Sequence, residues 1–339
     1  MDLVERLLDG DRRALARAIT LTENEDPAAA EIAAAVYPHT GQGRVIGVTG
    51  PPGAGKSTIV DGLTHLYRQA GLRVAVVAVD PTSPFTGGAI LGDRIRMRRS
   101  AADAGVFIRS LATRGQLGGL SWHTGSVIRL LDAAGFPVIV VETVGAGQAE
   151  VEIMRHAETT VVVMVPGLGD EVQAIKAGIL EIADVLAVNK ADREGADALV
   201  KELQMMLQLG RPRIRPVAAS PGAASPGAAS PGAASPAAVW LPPVLKTVAT
   251  SDQGLGDLVA AVDSHYRFLE ESGGLAIRRR RELDAEIRGI IRDVAGQAAC
   301  AWAETAGSWA EAFTRVIARR VDPRSAASEL VSEFLGPRT

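Results

Sequence analysis

The stretch Gly47-Val48-Thr49-Gly50-Pro51-Pro52-Gly53-Ala54-Gly55-Lys56-Ser57-Thr58 constrains the fold of this 339-residue chain more than any other. Gly50 to Ser57 fits G-x-x-x-x-G-K-[ST], a loop whose backbone cradles phosphate groups. Val45, Ile46 and Val48 predict a short apolar strand before it. Ile59, Leu63 and Leu66 predict one face of a helix after it. A strand, a glycine turn and a helix N-terminus present a nest of N–H groups at the positive end of a helix dipole. Gly50, Gly53 and Gly55 let the backbone curl around an anion. Pro51, Pro52, Ala54 and Thr58 complete the expected contact set. Lys56 is expected at the β- and γ-phosphates and the Ser57 hydroxyl at Mg²⁺.

The chain downstream alternates apolar runs with polar or glycine-rich loops, which predicts a parallel α/β sheet. Arg73 to Val79 reads as a buried strand ending in Asp80. A carboxylate at a strand's carboxyl end is placed for Mg²⁺, directly or through water; a turn or cap role is the alternative. Residues 80–96 read as a nucleotide-sensing switch. Asp93 is either its second acidic group or the N-cap of a helix near Met97. Val106-Phe107-Ile108 is a further strand, followed by a glycine-rich loop and a helix carrying Val127, Leu130 and Leu131.

Pro137 to Val141 is an apolar run ending in Glu142, and Gly145 follows three positions later. An acid there polarises Mg²⁺ or its water, and the glycine N–H senses a γ-phosphate. Gln148 either orients the attacking water or is a peripheral polar group. Thr159 to Val165 is the next strand, and 185–188 leads into Asn189-Lys190-Ala191-Asp192. The Asp192 carboxylate suits guanine N1–H and N2–H₂, which adenine lacks, so the pattern predicts GTP over ATP. Asn189 is expected to support the loop and reach the base edge, with the Lys190 stem over the ring.

Residues 196–209 read as a helix. An Ala/Ser/Pro/Gly pentad repeat over 216–238 is too poor in apolar groups to order itself and reads as a mobile insertion. Val244 to Ala249 then resumes the sheet, and Ala249-Thr250-Ser251 is expected to close the base pocket with backbone N–H groups on guanine O6. At the N-terminus, residues 2–20 predict one helix and Asp26-Pro27 opens another, carrying Ile32 and Val36. From about 273 the chain is helical, with Leu283, Ile287, Ile290 and Val294 in one stripe. Arg278 to Arg281 read as a solvated helix face or, alternatively, an anion site. Trp302 and Trp309, on short terminal helices, pack onto another subunit or back onto the domain.

Hydrophobic residues make up 47% of the chain, enough for a large core, while a net charge of -3 offers no basic field for nucleic acid. The single cysteine, Cys300, excludes an internal disulfide framework, and the five scattered histidines read as packing or surface groups. No run approaches the roughly 20 apolar residues of a membrane helix, and the N-terminus resembles no targeting signal. A cytoplasmic protein is expected.

The phosphate loop, Glu142-Thr-Val-Gly145 and Asn189-Lys-Ala-Asp192 together resemble the GTPase subclass with Glu in its third motif. Within it, Asp80-Pro-Thr-Ser-Pro-Phe-Thr-Gly-Gly-Ala-Ile-Leu-Gly-Asp-Arg-Ile-Arg-Met97 and Glu142-Thr-Val-Gly-Ala-Gly-Gln-Ala-Glu150 resemble the methylmalonyl-CoA mutase-associated GTPases of the MeaB or ArgK type. The resemblance runs from about residue 2 to the C-terminal helices, sparing the repeat. It implies a homodimeric G-protein chaperone of an adenosylcobalamin-dependent acyl-CoA mutase. GTP binding and slow hydrolysis would gate cofactor loading and protect the mutase. By the same resemblance Lys56 and Ser57 bind phosphate and Mg²⁺, and Asp80, Asp93 and Glu142 form the acidic magnesium and switch set. Residues 170–176, ending in Lys176, match a partner-responsive switch, and the C-terminal helices match a dimerisation arm. Ala249-Thr250-Ser251 departs from the family's Ser-Ala pair. The implied layout is an N-terminal helical segment (1–42), a P-loop GTPase domain with a mostly parallel sheet (43–270, interrupted at 216–238) and a helical arm (271–339). Three other readings are a nucleotide-dependent kinase of an amino-acid transport system, a metallochaperone GTPase and a non-hydrolysing nucleotide sensor. The sequence offers no second constellation for a kinase acceptor and no Cys/His cluster for a cargo metal.

Overall fold

Strands buried on both faces need nearly continuous apolar runs, and seven such runs form one sheet: β1 (Arg44–Thr49), β2 (Val74–Asp80), β3 (Val106–Ala112), β4 (Val138–Thr143), β5 (Thr159–Met164), β6 (Val185–Val188) and β7 (Val244–Lys246). The computed structural model describes residues 2–80, 99–100, 102–112, 119–143, 154–167, 181–209 and 239–336. Every strand pairing is parallel, in the order β3-β2-β4-β1-β5-β6-β7. β1 lies between β4 and β5. The strands after β1 build one side of the sheet, and those after β4 build the other. The carboxyl end of β1 is therefore a switch point of strand order, where open α/β sheets place ligands.

Alternation along each strand sends side chains into two cores. Ala75, Val77 and Val79 pack with Leu15, Ile19 and Leu131, so α2 (Arg12–Glu23) and α5 (Gly119–Ala133) cover one face together with α1 (Leu3–Leu8) and α3 (Ala28–Val36). Val74, Val76, Val161 and Val163 pack with Ile59, Leu63 and Leu258. This core lies under α4 (Lys56–Gln69) and α7 (Leu255–Glu271). A third cluster joins Val162, Met164 and Leu186 to Leu199 and Leu203 of α6 (Ala196–Leu209). Each fully buried aliphatic side chain contributes about 1.5–3 kcal/mol, so the central strands are held from both sides.

The single helix expected over 2–20 is instead two. Gly10 adopts a left-handed φ of 83°, and the Asp11 carboxylate then accepts from Arg13 N at 2.8 Å and Ala14 N at 3.2 Å. A glycine stop followed by an Asp N-cap outweighs the continuing apolar period. The strand expected over 244–249 ends at Lys246, and a single 3₁₀ turn, Ala249–Ser251, follows.

The chain divides into two compact units, residues 1–280 and 281–339. Helix α8 (Gly274–Ala306) begins within the first. There the expectation of a solvated arginine face is corrected at two positions. Arg278 forks onto Asp184, with Nη1 to Oδ2 at 2.8 Å and Nη2 to Oδ1 at 2.6 Å. Arg279 Nε reaches Glu158 Oε1 at 2.7 Å, and its Nη1 reaches Gly41 O at 2.9 Å. Asp184 and Glu158 are buried just ahead of β6 and β5, so buried carboxylates draw the arginines inward. Burial disfavours the Arg278 charge, but the Asp184 bond and charge outweigh it and raise the guanidinium above its ordinary value. Beside them lies His265, whose Nδ1 meets Thr159 Oγ1 at 2.9 Å and whose ring lies 4.9 Å from that of Trp240. Burial, with a smaller push from Arg278 and against Asp184, lowers its pKa to about 4. Its 3.3 Å approach to Asp184 is thus that of a neutral ring.

The second unit holds the rest of α8, α9 (Ser308–Ile317) and α10 (Pro323–Leu335). Trp302 lies against Phe334 with ring centroids 6.0 Å apart, and Ala303, Ala312 and Ala326 are buried. Trp309 sits on a short helix as expected, whereas Trp302 belongs to a helix of 33 residues. Ile287, Ile290, Ile291 and Val294 on α8, and Phe313 and Ile317 on α9, are exposed. No helix among the described residues is long and apolar enough to cross a membrane.

Candidate nucleotide site

Close packing restricts the loop after β1 to glycine at two positions. Gly50 has φ 142°, and a Cβ there would collide with Val163 O on β5. Gly55 has φ 90° and is the N-cap of α4, and a Cβ there would collide with the Asn189 amide. Only glycine satisfies both conditions at these two positions. Lys56 opens α4 and is buried, with Nζ donating to Gly50 O at 2.6 Å and Pro51 O at 3.2 Å. Its ammonium therefore lies over the loop it belongs to. Pro51 and Ala54 are buried, Pro52 and Gly53 exposed, and Thr58 lies on the first turn of α4.

Register carries Glu142 to the same place. Val48 pairs with Glu142 across β1 and β4, two residues before the phosphate loop begins at Gly50. The Ser57 hydroxyl donates to Glu142 Oε1 at 2.5 Å, and Glu142 is 1% exposed. Thr143 Oγ1 donates to Thr49 Oγ1 at 3.0 Å and ties the two strand ends together. A buried carboxylate and a hydroxyl beside a helix N-terminus are the hard oxygen donors that a small divalent cation takes.

Asn189 follows β6 and ties its own loop to two others. Its Nδ2 donates to Ala54 O at 2.8 Å; its Oδ1 accepts from Ala249 N at 3.1 Å and from Thr247 Oγ1 at 3.3 Å. Lys190 Nζ donates to Gly53 O at 2.8 Å from a left-handed backbone with φ 55°. A non-glycine residue held there is the kind of strain that clusters at ligand sites. Asp192, Thr250 and Ser251 are exposed at the same rim, and Ala249 is buried beneath it. The Asn189 amide, expected at the base edge as well, is engaged by the surrounding loops.

Of the remaining sequence candidates, Asp80 ends β2, where its backbone pairs with Ala112. Asp93, Gly145 and Lys176, with Gln148 and the 216–238 repeat, lie outside the described residues. The structure adds groups the sequence did not single out. Thr49, Thr143 and Thr247 are buried at strand ends and cross-link the loops. Arg99 pairs with Asp252, directly after the 249–251 turn.

The family model described as methylmalonyl Co-A mutase-associated GTPase MeaB matches residues 15–304. A Pyrococcus abyssi protein assigned by name to the GTPases is 48% identical, over 99% of this chain and 97% of its own. The mitochondrial methylmalonic aciduria type A homolog of Mus musculus is 31% identical over 85% of this chain and 68% of its own. A solved structure titled LAO/AO transport system kinase superposes with TM-score 0.67 at 26% identity, covering 98% of this chain and 96% of that one. With the phosphate loop, the Ser57–Glu142 pair and the Asn189 brace gathered at one end of a parallel sheet, the chain belongs to the MeaB family of methylmalonyl-CoA mutase-associated GTPases.

Proposed function

We propose that this GTPase is a GTP-gated chaperone of an adenosylcobalamin-dependent acyl-CoA mutase, working as a homodimer. The observation that carries the gating is the buried Ser57–Glu142 contact at 2.5 Å, set between the phosphate loop and the end of β4. The family's description names the mutase, and the mouse relative's name refers to methylmalonic aciduria.

In this reading the loop amides and Lys56 hold the phosphates, and Ser57 and Glu142 would hold Mg²⁺ beside them. The ion, when bound, would neutralise charge that develops as water cleaves GTP to GDP and phosphate. Asp192 accepts from guanine N1–H and N2–H₂, and the 249–251 turn faces O6. Asp80, Asp93 and Gly145 serve the switch next to the γ-phosphate, and Lys176 the loop that responds to the mutase. The stripe Leu283, Ile287, Ile290 and Val294 recurs at four- and three-residue steps, the spacing of a helix-pairing seam, and its exposure supports the dimer arm.

The test is GTP hydrolysis and pulldown with and without the cell's cobalamin-dependent mutase. Nucleotide-dependent binding, with hydrolysis raised by the mutase, supports the chaperone role. Binding in no nucleotide state removes it and leaves a GTPase with another client. The transport-kinase title of the similar structure defines a second reading, which requires transfer of ³²P from nucleotide to a protein acceptor in the same assay.

A further inference from the structure

The turn read as closing over guanine O6 is braced from outside the base-binding motifs. Behind it the chain doubles back, with Ser251 N donating to Val248 O at 3.0 Å and Val248 N to Gln253 O at 3.0 Å. Between these bonds sits Asp252, left-handed at φ 58°. Asp tolerates that conformation better than most residues, but a single turn with a left-handed exit is not self-supporting. The Asp252 carboxylate is gripped by Arg99, whose Nη1 lies 2.9 Å from both Oδ1 and Oδ2.

An exposed ion pair alone would position little, because the arginine must first be ordered. Here the next residue does the ordering. Ser100 is 4% exposed and its hydroxyl donates to Asp61 Oδ1 at 2.5 Å; Asp61 is 7% exposed and lies on α4, the helix that starts in the phosphate loop. Arg99-Ser100 is thus a strap, buried at the phosphate-loop helix and charged at the base loop. Asn189 holds the inner side of the turn through Ala249 N, and the strap holds the outer side.

We propose that Arg99 is a positioning residue for guanine recognition: anchored by Ser100 on Asp61, it fixes Asp252 and so holds the 249–251 turn against the O6 edge of the base. This rests on the reading of that turn as the O6 contact. The effect is on base affinity, and it is largest for nucleotides that carry O6.

Calorimetric titration of the full chain with GDP, IDP (which lacks the 2-amino group), 2-aminopurine riboside diphosphate (which lacks O6) and ADP separates the outcomes. In Arg99→Met and in Asp252→Asn, GDP and IDP affinities are expected to fall about two- to fivefold, the scale of one exposed ion pair. The 2-aminopurine nucleotide is expected to change less than GDP, and the double variant to match either single one. An equal loss for GDP, IDP and the 2-aminopurine nucleotide, or additive losses, would reduce the strap to general structural support and overturn the proposal. Unchanged GDP affinity in both variants would do the same. A wild type that binds GDP no better than ADP would overturn the guanine-site reading itself, and the proposal with it.

Discussion

At the carboxyl end of the sheet, Ser57 and Glu142 meet beside a glycine loop with Gly50, Gly53 and Gly55 at positive φ. At the amino end, Asp184 and Glu158 are also buried, but each is closed off by an arginine of α8, and neutral His265 and Trp240 pack beside them. Both ends bury carboxylates, at a comparable desolvation cost. The amino end meets that cost with fixed internal partners. The carboxyl end joins its carboxylate to a hydroxyl and a helix N-terminus, groups that a phosphate-bound cation can also use. Burial of charge therefore does not mark a site by itself; the chemistry of the partner does.

The largest way to break this comparison is at the amino end. Arg278→Met leaves Asp184 buried without its forked partner and is expected to destabilise the first unit by about 3–5 kcal/mol. Urea unfolding followed by circular dichroism measures this, and a loss under 1 kcal/mol would mean the pair is not a structural lock. At the carboxyl end the expected damage is to chemistry rather than stability. Lys56→Ala should lower kcat/KM for GTP by about 10²–10³, the range for removing one preorganised charge-stabilising donor, while its urea midpoint stays close to that of wild type. A variant that hydrolyses GTP normally would remove Lys56 from the phosphate site.

His265 sharpens the contrast through pH. Its folded pKa of about 4 lies below the ordinary 6.5. Below pH 6.5 the unfolded chain takes up a proton that the native ring refuses, so this contribution to stability is complete above pH 6.5 and shrinks as pH falls towards 4. Full loss amounts to about 3 kcal/mol. The groups facing the ring are Asp184, Arg278, Thr159, Trp240 and Phe268. Wild type minus His265→Gln, measured as unfolding free energy from pH 7 to 4.5, should decline with acid; parallel curves would show that the histidine does not titrate on unfolding. The smallest effect expected is from Thr247→Val, which removes a 3.3 Å bond to Asn189 Oδ1. About 1 kcal/mol, or fivefold, should appear in GDP affinity, and a change in thermal stability alone would place Thr247 with the fold and not with the site.

Legibility followed the same division. The phosphate loop, the acid closing β4 and Asn189-Lys190-Ala191-Asp192 are contiguous runs whose spacing carries their geometry, so the sequence located them and the order of the fold around them. The braces between them join Asn189 to Ala54 and to Ala249, 135 and 60 residues apart, and no local pattern encodes such pairs. Arg278 and Arg279 illustrate the limit. Four consecutive arginines on a helix read as a solvated face, because their partners lie 94 and 121 residues away ahead of separate strands. The break at Gly10 had a local signal, Asp-Gly-Asp, which the apolar period of 2–20 obscured. Thr49, Thr143 and Thr247 gave none, since a threonine ending a strand looks the same whether or not it cross-links loops.

The most direct measurement is the Mg²⁺ dependence of GTP hydrolysis in wild type and in Glu142→Gln, which keeps the length and the Ser57 contact but loses the charge. If Ser57 and Glu142 together hold the ion, half-saturating Mg²⁺ should rise about tenfold or more in the variant, with GDP affinity in EDTA unchanged. Superimposable Mg²⁺ curves for the two proteins would contradict the assignment of the buried Ser57–Glu142 pair as the metal-holding centre of this GTPase.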